Sequence, residues 1–72
     1  MLLKDLNKNE EAVVKAVLCN VAVKKRLFNL GLTEGVKVRV IGFSPFFEPV
    51  EITFNNTFLA VGKSIAEKIE VE

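Results

Sequence analysis

Histidine, tryptophan and tyrosine are absent from this sequence, and cysteine occurs once, at Cys19. Without histidine there is no Ser-His-Asp or Cys-His arrangement to activate a nucleophile. The remaining carboxylates and lysines form no cluster at motif spacing, so the sequence predicts a protein that is not an enzyme. A lone cysteine forms no internal disulfide, which fits a reducing cytosol. Charge of one sign is also lacking. Ten basic residues face nine acidic ones, a net charge of +1. A protein built to neutralise many phosphates would be far more basic, so no nucleic-acid partner is expected. Apolar runs fall well short of the ~18 residues of a membrane span. The opening "MLLKDLNKNEE" turns polar at once and has no hydrophobic signal region.

Apolar character itself is plentiful. Half of the 72 residues are hydrophobic, and the mean hydropathy is +0.33. Residues 1–72 read as one domain, and a domain of this size buries only about 60% of the surface its unfolded chain exposes. Either the core is unusually apolar, or some apolar surface is kept for a partner or another copy of the chain.

Along the chain, "LLKDL" reads as a short lead-in whose Leu3 and Leu6 pack on one side, followed by turn chemistry at Asn7 to Asn9. "EAVVKAVL" alternates Val13, Lys15 and Val17 against Ala12, Val14, Ala16 and Leu18, a strand with one apolar face. The period then changes. Asn20 is a good N-cap, and Val23, Leu27 and Leu30 share one helical face. Gly31 suits the residue after the helix, with Leu32 folding back onto Leu27 in a Schellman motif. Gly35 suits the third position of a type II turn. "VKVRVIGF" and "VEITF" alternate cleanly, and Asn55-Asn56 marks a tight turn into "TFLAV". "SIAE" has the form of a capping box, Ser64 to Glu67, opening a short helical turn before a last strand in "KIEVE". Strand, helix, three strands, helical turn and strand predict a mainly β fold: a small five-stranded barrel with one inserted helix.

At these spacings "RLFNLGLTEGVKVRV", Pro49 with "VEITF", and "FLAVGKSIAEKIEV" resemble the FeoA domain. The matching positions are Arg26, Leu27, Leu30, Gly31, Leu32, Gly35, Ala66, Ile69 and Val71. The chain departs from the family at Asn9 and Asn56, where glycine is frequent, at Glu34, where proline is frequent, and at Phe47-Glu48 and Val61-Gly62. The resemblance implies an SH3-like barrel similar to the C-terminal domain of diphtheria toxin repressor-type regulators. It also implies a cytoplasmic accessory role in ferrous iron uptake, recruited to the inner face of the membrane. The implied partner is FeoB, a membrane protein with a cytosolic GTPase domain. Iron enters by resemblance alone, and no cofactor is expected.

Without histidine, the candidate metal ligands are Cys19, Glu10, Glu11, Glu48 and Glu51. A lone cysteine at a strand end usually behaves as a small hydrophobe, so no metal site is predicted. Lys24, Lys25 and Arg26 form either a solvated face favoured by the helix dipole or a surface for an acidic partner. Phe54 belongs to a core face, whereas Phe28, Phe43, Phe46, Phe47 and Phe58 exceed what so small a barrel buries. The loop "GFSPFFEP" either caps one barrel end or contributes a partner patch. Those five phenylalanines and the three basic residues are the candidate contact set. Other readings are a small-barrel module for another protein, a peptide or nucleic acid, and a metal-sensing regulator domain.

Overall fold

The computed structural model describes residues 1–43 and 49–72. After a 3-10 turn over Leu3–Asp5 come strand β1 (Glu11–Val17), helix α1 (Val21–Asn29), β2 (Lys37–Phe43), β3 (Val50–Phe54), β4 (Thr57–Val61), a short helix α2 (Lys63–Ala66) and β5 (Ile69–Val71). All strand pairs are antiparallel, in the order β4-β3-β2-β1-β5. The fold is the five-stranded, mainly β arrangement that the alternation predicts.

One face of this sheet carries the core. Val38 and Val40 of β2, Val50, Ile52 and Phe54 of β3, Val61 of β4 and Ile69 and Val71 of β5 are all buried. Among the described residues no second sheet covers them, and the sheet curls around its own apolar face. The curl comes at two irregularities. Register shifts between Val40 and Gly42 in the β2–β3 pair, and between Val14 and Ala16 in the β1–β5 pair. Such bulges bend a strand and increase its twist. Leu3 and Leu6 of the lead-in and Ala66 of α2 complete the core. Among the described residues no polar side chain is buried.

The β1 irregularity changes the predicted face. Strict alternation would put Val17 with Val13, yet Val17 is buried, Val13 is partly exposed and Leu18 is largely exposed. The extra residue near Lys15 reverses the phase for the end of the strand.

The turns follow their residues. Asn55 and Asn56 have φ of 47° and 62°, the left-handed pair that a two-residue type I′ hairpin requires. Asn9, also at positive φ (71°), uses asparagine's tolerance of that region. Val36 N–H donates to the Thr33 carbonyl at 3.2 Å, and Gly35 at φ +88° supplies the type II conformation.

Both ends of α1 are built as the sequence indicates. Asn20 Oδ1 accepts from Val23 N–H at 2.9 Å, satisfying a donor that the first turn leaves free. At the other end Gly31 N–H donates to the Phe28 carbonyl and Leu32 N–H to the Leu27 carbonyl, both at 2.9 Å. These are the paired bonds of a Schellman motif. Leu27 and Leu32 are both buried in the core cluster. Leu30 does not join Leu27 on the buried face; it is 45% exposed. The chain turns at Gly31, and Leu32 occupies the core position instead.

The capping box at Ser64 does not form. Gly62 is the N-cap of α2, and its carbonyl accepts from Ile65 and Ala66. The helix therefore starts two residues before the position a Ser64 cap requires, and Glu67 falls at its C-terminal end. This register places Ala66 in the core.

Asn20→Ala removes the α1 cap without touching the core. It is expected to cost about 1 kcal/mol, a fall in melting temperature of roughly 4–8 °C for a domain this small. Thermal unfolding followed by circular dichroism measures it; an unchanged midpoint would show that the cap contributes nothing.

Candidate partner-binding site

Helix α1 leaves the barrel between β1 and β2 and lies on it lightly. Of its nine residues, Leu27 alone is buried, with Val23 half-buried beside it. At about 100° per residue, Val21 and Phe28 fall together on the opposite face, with Lys24 and Lys25 between them in sequence and to either side around the axis. Val21 is 84% exposed and Phe28 61%. Leu18, just before the helix, is 57% exposed. The sequence reading selected Phe28 and the cations but missed Val21 and Leu18. The i, i+7 spacing of Val21 and Phe28 was the available signal, hidden because valine suits a core as well as a surface.

The charge around this face is one-sided. No Asp or Glu occurs between Glu11 and Glu34, whereas Lys15, Lys24, Lys25 and Arg26 do. Lys24 Nζ lies 3.8 Å from Glu34, both well exposed, a contact that screening makes weak. Among the described residues Lys25 and Arg26 have no acidic partner within the 4.0 Å of an ion pair. The outer face of α1 is thus apolar at its centre and basic at its flanks.

Phe58 marks a different place. It is 57% exposed and borders an open hollow of about 640 Å³ on the outer face of the sheet, lined also by Glu11, Lys37, Arg39, Thr53 and the Asn55-Asn56 turn. Glu11 lies 3.7 Å from Arg39 and 4.0 Å from Lys37. One carboxylate facing two cations leaves a weak positive field, poorly suited to gathering phosphates. Phe28 does not line this hollow; it stands on α1, whereas Phe58 stands on β4. Phe43 packs half-buried against the core. Phe46 and Phe47, with Glu48, lie outside the described residues.

Leu27, Leu32, Ala66, Ile69 and Val71 are core, Gly31 and Gly35 occupy positive φ, and Pro49 precedes β3. Of the candidate metal ligands, Cys19 is half-buried against the core beside Val23. Among the described residues no three His, Cys, Asp or Glu side chains gather as a metal ion would require. No described helix is long and apolar enough to cross a membrane.

The family model of the FeoA domain matches residues 1–72. The chain belongs to the FeoA domain family. Among solved structures, the FeoA protein of Chlorobium tepidum is 36% identical with a TM-score of 0.96, covering all of this chain and 69% of its own. The FeoA of Stenotrophomonas maltophilia, solved with zinc and described as a prokaryotic SH3 domain protein and candidate ferrous iron transport activating factor, is 32% identical. Its TM-score is 0.85, over all of this chain and 89% of its own. The manganese regulator SloR shares the fold at 22% identity and a TM-score of 0.84, this chain matching 34% of its length. No match is found among curated protein sequences. The barrel is therefore SH3-like, the fold of FeoA proteins and of part of the manganese regulator SloR.

Proposed function

We propose that this FeoA-family chain is a cytoplasmic, non-enzymatic accessory protein of ferrous iron uptake. It acts by binding the cytosolic, GTPase-bearing region of a FeoB-like transporter. Membership of a family associated with ferrous iron transport supports the pathway. The outer face of α1 supports the mode of action: Val21 and Phe28 stand exposed, flanked by Lys24 and Lys25, in a segment without acidic residues. An exposed aromatic ringed by cations suits a partner surface with an apolar pocket and an acidic rim. The pocket would supply affinity and the rim would guide encounter.

Calorimetry or pull-down with the purified cytosolic region of such a transporter, across nucleotide states and with and without Fe(II), tests this. Phe28→Ser and Lys25→Glu are each expected to weaken binding about tenfold, since loss of one interface anchor typically costs 1–2 kcal/mol. Both positions are exposed, so the fold is retained, which circular dichroism checks. Absence of binding by the unaltered chain under every condition overturns the proposal. Binding unaffected by both substitutions moves the contact off α1.

A further inference from the structure

The two ends of the sheet are finished differently. Beyond β5 the chain start closes the edge: Val71 N–H donates to the Met1 carbonyl at 2.8 Å, and Leu2 bridges Glu70. Beyond β4 no strand follows among the described residues.

The direction of β4's backbone groups follows from its neighbours. Val40 N–H donates to the Glu10 carbonyl, and the Val40 carbonyl accepts from Asn9. Val40 therefore turns away from β3, and its partner Ile52 turns towards β4. Ile52 pairs with Leu59, so Leu59 bonds inward. The hairpin gives the same parity, because the pair closing a two-residue loop, Phe54 with Thr57, is hydrogen-bonded. Phe58 and Ala60 consequently point their N–H and C=O groups outward. Among the described residues nothing on the backbone bonds to them.

Proteins usually guard such an edge with charge, proline or a bulge. Here Thr57 to Val61 holds no charged residue and no proline, and its pairing with β3 runs without a register shift. Phe58 and Ala60 both face the outside of the sheet and are exposed, while Leu59 lies half-buried on the inner face.

We propose that β4 is a dimerisation edge that pairs antiparallel with β4 of a second copy of this chain. The pairing sets Phe58 opposite Ala60 of the second copy and Leu59 opposite its own counterpart on the two-fold axis. This register uses both outward residues of each strand, and each of its two symmetric pairs exchanges two hydrogen bonds. It lays each Phe58 ring over a small alanine. Pairing Phe58 with itself would set Ala60 against Asn56 in the turn, and pairing Ala60 with itself would set Phe58 against Gly62, beyond the strand. A strand without charge has nothing to repel its own copy. The contact is isologous, so it closes at two copies. None of its residues belongs to α1.

Sedimentation velocity from micromolar to millimolar concentration tests the proposal, the mass rising with concentration from 8.0 kDa towards twice that value. Ala60→Pro removes an outward N–H that β3 does not use, a position where an edge strand tolerates proline. It is expected to remain folded by circular dichroism and monomeric throughout. Phe58→Lys, which places a charge on the edge, serves the same purpose should Ala60→Pro unfold. Leu59→Cys, with Cys19→Ser, is expected to form an intermolecular disulfide on air oxidation. Its two Cα atoms meet in a non-hydrogen-bonded pair at about 4.5 Å, inside the usual disulfide range. A chain that stays monomeric at millimolar concentration overturns the proposal and leaves the edge to an extended segment of a different protein. A dimer that survives both edge substitutions, or one that Leu59→Cys does not cross-link, overturns it equally.

Discussion

Ile52→Ala is expected to cost this domain most of its stability. Ile52 is fully buried in the middle of β3, between Val40 on one side and Leu59 on the other. Truncating a buried isoleucine to alanine removes about 2–5 kcal/mol through lost transfer energy and the cavity left behind. Native stability runs at about 0.05–0.15 kcal/mol per residue, which for a chain this short is only roughly 4–11 kcal/mol. The loss falls at the upper end of the range because a sheet curled around a single thin core cannot collapse onto the gap without breaking its ladders. Urea unfolding measures it as a lower midpoint at unchanged slope, and Ile52→Val is expected to cost about 1 kcal/mol. A loss below 1 kcal/mol for alanine would mean that β3 does not hold the centre of the core.

The second large effect is expected at Gly31, and its cause differs. A Cβ placed there would lie 3.6 Å from Cε2 of Phe54, an ordinary contact, so space is not what requires glycine. The backbone is. At φ +97° an L-residue meets its own carbonyl, at a cost of about 1–2 kcal/mol, and β-branching restricts it further. Relaxing φ to escape that clash would break the two bonds that turn Leu32 into the core. Gly31→Asn is therefore expected to be mildest, Gly31→Ala intermediate and Gly31→Val worst, at about 2 kcal/mol or more. Urea midpoints across the three variants give the order. Equal losses for asparagine and valine would point to crowding rather than backbone conformation.

These two residues also show what was legible beforehand. Ile52 lies in "VEITF", whose alternation gives both strand and inward face, because a half-buried strand repeats every two residues. Gly31 was legible because only a few residue types enter the left-handed region, so a glycine after an apolar helical stripe has few other uses. The errors arose where one residue shifts a phase. The extra residue near Lys15 leaves no compositional mark, yet it moves Val17 inward and Leu18 outward. "SIAE" satisfies the letter of a capping box, but the need to place Ala66 in the core starts α2 two residues earlier. Leu30 fits the helical stripe, but it is the C-cap residue, where the chain already turns away.

The candidate contact residues were legible only as a surplus. Six phenylalanines were too many for the core, and the structure buries Phe54 and half-buries Phe43. Periodicity puts Phe28 on the helix and Phe58 on a strand, but it does not say where either stands on the barrel. That placement depends on the strand order, which is set by pairings between residues distant in sequence. It leaves two surfaces on different elements: the basic, apolar face of α1 and the uncharged edge of β4.

The seam between Met1–Leu2 and β5 has a consequence for how the chain is assembled in time. Its contacts join residues 70 positions apart, so closing it is the slowest kind of search the molecule faces, with a loop entropy of roughly 4 kcal/mol from the logarithmic term alone. The β2–β3–β4 meander can form from near neighbours, whereas β5 needs β1 and the first residues already in place. During folding the hydrophobic interior stays open on one side until β5 docks between β1 and the Met1–Leu2 segment. Met1 and Leu2 are then held by β5, and the seam is the step that completes the barrel.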